Sequence, residues 1–357
     1  MKYSLIEVAD LTAEHRETWR TLQRSTACLR SPYFCLEFTL AAAAVRNDVR
    51  VVVLEEGAEA VGFFPFQRGR FGGGRPVGGA LSDYHGVIVA PGAIWDVETL
   101  LRSCGLAYWE FDHLIAEQAP LDQYHSRWAL SPALDLSQGF GAYRARRRAA
   151  GAGRFFQLER KARKLAREVG PLRFVAHTHD REILQQVFQW KSEQCRRSGV
   201  VDFFEHEWAR ALVEQLWTTE TGYFSGRLSA LYAGEKLVAA HMGMCSGSVW
   251  HWWFPGYDRS FGKYSPGGIL LCKVAEEAAA QGLQQLDLGK GDDPYKNSFA
   301  DCANPVAEGC AWRPSAGNAF RRLANGSENL LRQSRLIEPV RPILRMAKRW
   351  TYRQRFA

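Results

Sequence analysis

At 357 residues the chain is too long for one small domain and comfortable for two of roughly 150. Apolar residues at 46% and charged residues at 24% match a folded soluble protein and exclude wholesale disorder and a coiled-coil rod. The net charge of +8 sits in two places: residues 144–167 carry ten Lys/Arg against one acid, residues 313–357 carry eleven against two, and the remainder is acidic. This is a mildly acidic protein with two basic segments attached, so DNA is not an expected partner. No run approaches the ~18 apolar residues of a membrane span. Acids at Glu7 and Asp10 fall where a signal peptide needs apolar residues, so the cytoplasm is the expected compartment. Eight scattered cysteines show no CxxC and no Cys/His zinc spacing, which predicts reduced thiols and no bound metal.

In chain order, the first signal is Phe34-Cys35-Leu36-Glu37-Phe38, with aromatics four apart as on one helical face. Val51–Leu54 and Val61–Phe64 flank Gly57 and predict a β-hairpin. Ser82-Asp83-Tyr84-His85-Gly86 is a compact polar cluster ahead of an apolar strand; it reads as a plain turn or, through Asp83 and Tyr84, as part of an acceptor cleft. The basic run Arg144–Arg148 and the strong helix formers Arg160–Arg167 predict a long helix stopped by Gly170-Pro171, facing either solvent or an anion. A strand over 172–176 and an amphipathic helix over 181–197 follow. Next come a second aromatic-acidic cluster at 204–208 and a hairpin over 228–240, whose Gly234 lies 177 residues beyond Gly57 in the same layout. A Trp-rich strand over 248–254, a helix over 269–281 ended by Gly282, and a strand over 283–288 complete the set.

The repeated order of elements predicts an α/β layer fold made of two tandem units, each a mixed sheet flanked by helices. The expected boundaries are 1–139 for a degenerate first unit, 140–312 for the second, and 313–357 for a basic helical tail. Pro339 and Pro342 limit that tail to a short amphipathic helix, with Arg341, Arg345, Lys348, Arg349, Arg353 and Arg355 available to an anionic lipid surface.

The most informative stretch runs from Phe254 through the basic loop Tyr257–Tyr264 to Ser265-Pro266-Gly267-Gly268 and an apolar helix. Ser265 suits an N-cap and Pro266 the first helical position, while the two glycines leave backbone amides open to a phosphate. No Walker lysine-serine pair and no GxGxxG follows a strand here, so nucleotide hydrolysis and dinucleotide binding are poorly supported. The block that follows, Asp287-Leu288-Gly289-Lys290-Gly291 with Tyr295-Lys296 shortly before Phe299, adds a second signature. Together these stretches resemble the GNAT acyltransferase superfamily. The nearest branch looks like the CelD/BcsL cellulose-biosynthesis-type acetyltransferases, relatives of the FemAB-like tandem enzymes. One departure is that Tyr264–Gly268 replaces the superfamily's R/Q-x-x-G-x-G/A loop, which bears on how many amides reach a pyrophosphate.

The resemblance implies direct attack of an amine on an acyl-CoA thioester, acetyl-CoA or longer, with no metal and no covalent enzyme intermediate. Such chemistry needs a base for the amine and an acid for the thiolate. Tyr295 matches the superfamily's thiolate-protonating tyrosine, although a ring packed under the last helix reads equally well. His251, His241 and Asp287 are the candidate bases. The implied donor contacts are Phe254, Tyr264, Ser265, Gly267, Gly268 and Lys296. Asp83, Tyr84, Trp253 and Lys290 are candidate acceptor contacts. On the central strand Trp250 and Trp252 share one face, His251 and Trp253 the other. The expected acceptor is a small amine or amino sugar. Alternatives are a FemAB-like enzyme drawing its acyl group from charged tRNA, held through residues 144–167, and a non-catalytic scaffold of an envelope-polysaccharide system docked at the inner membrane face through 313–357.

Overall fold

The structure is a computed structural model that describes residues 1–151, 154–291 and 293–314. From residue 315 on, the predicted basic tail lies outside the described residues. In the N-terminal half the strands are β1 (Lys2–Glu7), β2 (Val49–Glu56), β3 (Glu59–Arg68), β4 (Gly73–Arg75), β5 (Ile88–Val89), β6 (Tyr108–Ile115) and β7 (His125–Asp135). Its helices are α1 (Ala13–Ser25), α2 (Leu36–Val45) and α3 (Val97–Ser103). After α4 (Gly139–Ala149) and α5 (Arg154–Glu168), the C-terminal half runs β8 (Leu172–Val175), α6 (Arg181–Ser198), α7 (Glu207–Trp217), β9 (Ser225–Ala233), β10 (Lys236–Cys245) and β11 (Val249–Tyr257). It closes with α8 (Pro266–Ala280), β12 (Gln285–Asp287), α9 (Pro294–Phe299) and β13 (Cys302–Trp312).

Where two separate sheets were expected, the described strands join one mixed sheet in the order β1-β2-β3-β4-β6-β13-β7-β12-β11-β10-β9-β8, with β5 on β3. The order reads alike from either edge. β4–β6 and β11–β12 are the parallel neighbours, and the other pairs are antiparallel. At the centre the halves exchange strands: β7 pairs with β12, and β13 inserts between β6 and β7. Buried main-chain donors and acceptors of both halves therefore satisfy each other, and neither half closes its own sheet edge.

Gly57 and Gly234 occupy the same place in their hairpins, at φ 64° and 57°, a region that a Cβ disfavours. Each aromatic-acidic cluster forms a 3₁₀ turn, one extended residue (Cys35 or His206) and then a helix. The four-residue spacing thus straddles a turn–helix junction, and the expected shared helical face is absent. α2 and α7 pack on each other, joining the halves on one side of the sheet, with a common core from Trp19 and Phe38 to Phe204 and Trp253. A second core under α4, α5 and α8 surrounds Tyr143, Trp250 and Leu270.

The predicted long basic helix is two helices, α4 and α5. Much of its charge is met internally: Arg144 pairs with Glu159, Arg146 with Asp135 and Asp301, and Lys164 and Arg167 with Glu168. Arg160 and Arg163 stay exposed, without an ion-pair partner among the described residues. No helix among the described residues is long and apolar enough to cross a membrane.

Candidate active site

β11 and β12 pair in parallel only from Val249/Gln285 to His251/Asp287. Beyond that point β11 continues to Tyr257, whereas the other chain turns away at Gly289 (φ 72°) into α9. A Cβ on Gly289 would lie 2.6 Å from Asp83 Oδ2, so the turn passes beneath Asp83 only because this residue is glycine. The divergence opens a cleft of about 510 Å³. Asp83 lies at its inner end, and Trp252, Trp253, Pro255 and Gly256 line the strand side. Trp190, Lys191 and Arg197 of α6, Ser265, Gly267 and Gly268 at the start of α8, and Tyr295 and Lys296 of α9 complete the walls.

At the inner end lies a network built from both halves. His251 Nε2 is 3.0 Å from Asp83 Oδ2, and its Nδ1 is 3.5 Å from Asp287 Oδ1, an ionic contact longer than a hydrogen bond. Burial disfavours a charged His251, but the two carboxylates outweigh it and push the imidazole up to about 9. Asp83 is held well below the usual carboxylate range: its burial is overcome by the neighbouring His113 and His251. Asp287 is buried and accepts from Tyr84 Oη, from Ser131 Oγ at 3.0 Å, from the Gly289 amide at 2.7 Å and from Asn304 Nδ2 at 2.8 Å. The Tyr33 ring stands edge-on to His251 at 5.0 Å. At neutral pH this gives an ionised Asp83 reaching the cleft (24% exposed) and a fully enclosed imidazolium behind it.

The structure brings together Asp83, His251 and Asp287, and lines the same cleft with Trp253, Ser265, Gly267, Gly268, Tyr295 and Lys296. Burial, then Asp293, raises the Tyr295 phenol above its ordinary range, so it carries its proton. Lys296 Nζ donates to the carbonyls of Gly289 and Lys290, each at 3.0 Å, and fixes the turn.

Other predicted site residues lie elsewhere. His241 is buried beneath Trp252, with ring centroids 3.9 Å apart, and its Nε2 accepts from the Trp253 amide. Burial, then the His251 charge, holds it well below the usual range; it is a neutral packing residue. Phe254 stacks on Trp253 and packs on Phe204 in the first core. Tyr264 is buried in the second core and donates to Glu168 at 2.6 Å, because the 3₁₀ turn before α8 directs its ring inward. Tyr84 points at Asp287 and does not line the cleft. Lys290 turns from it as well, bonding the Asp112 carbonyl and Glu308.

Ser265 lines the cleft but makes no side-chain cap. It sits in the left-handed region (φ 55°), and its hydroxyl accepts from Lys161 Nζ at 2.7 Å. Its carbonyl takes the Gly268 and Ile269 amides, and Pro266 has none to give, so the Gly267 amide is the one left open in that first turn among the described residues.

Sequence reasoning missed Tyr33, Ser131 and Asn304, which reach the network through strand exchange or from far upstream. It also missed His113 and Asp112: adjacent residues of a regular strand point to opposite faces, and only the irregularity in β6 between Phe111 and Leu114, where it pairs with β13, breaks that rule.

Residues 140–297 match the family model described as acetyltransferase (GNAT) domain. The fold is of the GNAT type. Solved structures similar to this chain include FemX, with TM-score 0.57 at 10% identity over 90% of this chain and 99% of that one. A tandem GNAT protein from the clavulanic acid biosynthesis pathway gives TM-score 0.50 at 10% identity, over 88% of this chain and 99% of that one. The C-terminal DUF2156 domain of a candidate lysylphosphatidylglycerol synthetase from Agrobacterium fabrum gives 0.54 at 13% identity, over 87% and 95%. A search of curated proteins returned no match. These three structures cover 87–90% of this chain, so the likeness in fold extends over both halves.

Proposed function

We propose that this protein is an N-acyltransferase moving an acyl group from acyl-CoA to a primary amine held at Asp83. The observation that carries the reading is the end of β11–β12 pairing at His251 and Asp287. It leaves the edge of β11 open beside a cleft that leads from the start of α8 to an ionised carboxylate. An extended amide-bearing donor can lie along such an edge, with Lys191, Arg197 and Arg259 among the cleft walls for its phosphates. Asp83 binds the acceptor's nitrogen and, weak base though it is, takes its proton once the forming C–N bond has made that nitrogen positively charged and acidic, as the C–S bond breaks. Tyr295 gives its phenolic proton to the departing sulfur. The imidazolium of His251, anchored by Asp287, holds Asp83 in place. The signature at 286–299 favours the CelD/BcsL-type branch, hence an amino-sugar or similar acceptor handled in the cytoplasm or at the inner face of the membrane.

A second reading rests on the first turn of α8. With one open amide, its grip on a pyrophosphate is reduced, while Arg160 and Arg163 present exposed cations. That combination favours an aminoacyl-tRNA donor, with affinity falling as salt rises.

Thermal unfolding separates the readings. Acetyl-CoA or CoA at about 100 times its Kd is expected to add about 2.7 kcal/mol to stability and raise Tm by several degrees. No shift with any acyl-CoA, together with transfer from charged tRNA, would establish the second reading; neither shift nor transfer would leave a scaffold. Tyr295→Phe is expected to lower kcat for acyl-CoA about a hundredfold with little change in donor KM. An unchanged single-turnover rate would remove Tyr295 from the chemistry.

A further inference from the structure

Behind Asp83, away from the cleft, His85, Asp112 and His113 bring three ligand atoms within 4.8 Å of one another. Asp112 Oδ1 lies 3.0 Å from His113 Nδ1 and 3.8 Å from His85 Nδ1. Ligands held at roughly 2.0–2.1 Å around a tetrahedral ion stand about 3.3 Å apart, a value between those two separations. We propose that His85 Nδ1, Asp112 and His113 Nδ1 form a binding site for a first-row divalent cation of the zinc type, with solvent completing the coordination.

The far nitrogen of each histidine is already positioned for this. His85 Nε2 is 3.1 Å from the Ser82 carbonyl, an acceptor only, so this nitrogen carries the proton and the Nδ1 lone pair faces Asp112. His113 Nε2 is 3.2 Å from Asp83 Oδ1, which can keep a proton there, while Nδ1, 3.0 Å from Asp112 Oδ1, gives up its own proton to the bound cation. A backbone carbonyl on one histidine and a carboxylate on the other are the outer partners that metal-bound imidazoles use. The ligands are also rigidly placed. The His85 amide donates to the His113 carbonyl at 3.0 Å, and the Ile115 amide to the His85 carbonyl at 3.0 Å. His85 is 1% exposed and His113 11%, whereas Asp112 at 30% leaves a way in from solvent. One contact competes: the His113 amide donates to His85 Nδ1 at a long 3.3 Å, and metal binding replaces it.

The site also replaces a charge. His113 stands between the carboxylates of Asp83 and Asp112 and can donate to both only as an imidazolium, so a cation at Nδ1 takes over the positive charge that this position otherwise draws from a second proton. A cation shared by Asp112 and His113 Nδ1 leaves Nε2–H for Asp83, so the ion orients the carboxylate that reaches the cleft without entering the cleft itself. The proposal stands apart from the choice of acyl donor.

The test is titration of chelator-treated full-length protein with Zn²⁺ by calorimetry and with Co²⁺ by visible absorption. The expected result is one tight equivalent and Co²⁺ d–d bands of a nitrogen/oxygen site. Zn²⁺ at a hundredfold excess over Kd is expected to raise Tm by about 3 °C. Asp112→Asn and His85→Gln should each lose the tight equivalent; because Asp112 is partly exposed, the first variant keeps the metal-free Tm and guards against loss by misfolding. Absence of a tight equivalent in the wild type, or its survival in folded Asp112→Asn (for example at His177 and His179, whose rings lie 4.5 Å apart), would overturn the assignment.

Discussion

Asp83→Asn is expected to lower kcat/KM for acyl transfer by about 10²–10⁴-fold, the range for loss of a positioned proton acceptor. The substitution is nearly isosteric, and its amide oxygen can still accept from His251 Nε2 or His113 Nε2, so the fold should persist. What disappears is the negative charge at the inner end of the cleft, 3.0 Å from a buried imidazolium. The loss should fall on kcat and on acceptor KM together, because one carboxylate both holds the amine and takes its proton. Donor affinity, read by thermal shift with CoA, should hardly move. Steady-state kinetics in both substrates checks this, and an Asn variant of wild-type activity would discard Asp83 as the reacting group.

Asp287→Ala is expected to have the largest effect on stability, about 3–5 kcal/mol, the range for breaking a buried ionic network. Its carboxylate is buried and accepts from Tyr84 of the first half, Ser131 of β7, Asn304 of β13 and Gly289 of its own turn. Removing it strands four donors where the exchanged strands meet, and leaves His251 with one counter-charge. The effect should depend on pH in a defined direction. His251 is raised from 6.5 to about 9, so its interaction with the carboxylates is fully present below about pH 6.5 and is lost as pH rises through about 9. Wild type and variant should therefore differ most below pH 6.5 and less above pH 9. Denaturant unfolding across that range measures the difference, and ¹⁵N-detected titration of His251 should show its midpoint fall in the variant. A pH-independent difference would mean that the imidazolium does not couple to Asp287.

The elements themselves were legible because their signals are local. Both Gly-led hairpins, the helix from Arg181, the Trp-rich strand and the helix after Gly267-Gly268 follow from periodicity and turn chemistry, and the motif at 254–299 pointed to the cleft. Asp83, His251 and Asp287 could each be nominated from sequence as a polar residue beside an apolar strand. Their partnership could not, because Asp83 is 168 residues from His251 and meets it only after the halves join. The same limit explains the misplacements. Tyr264 and Phe254 belong to the motif, but the 3₁₀ turn before Ser265 directs the Tyr264 ring inward, and the bulge in β11 opposite Met242–Met244 breaks the pleat and places Phe254 on the side of Trp253.

By itself the sequence determined the repeated order of strands and helices, the two basic segments and the short list of polar residues able to do chemistry, since these depend on neighbours a few positions apart. Only the tertiary structure decided that β7 and β13 change places, because main-chain pairing at a sheet's centre is settled by which edges are left open. That exchange brings Ser131 and Asn304 to Asp287. The joining of the halves seats Asp83 on His251, whereas His85, Asp112 and His113 meet within the first half, where the His85 amide bonds the His113 carbonyl. The charge states follow from that enclosure, where distance and burial, rather than residue type, decide which groups hold protons.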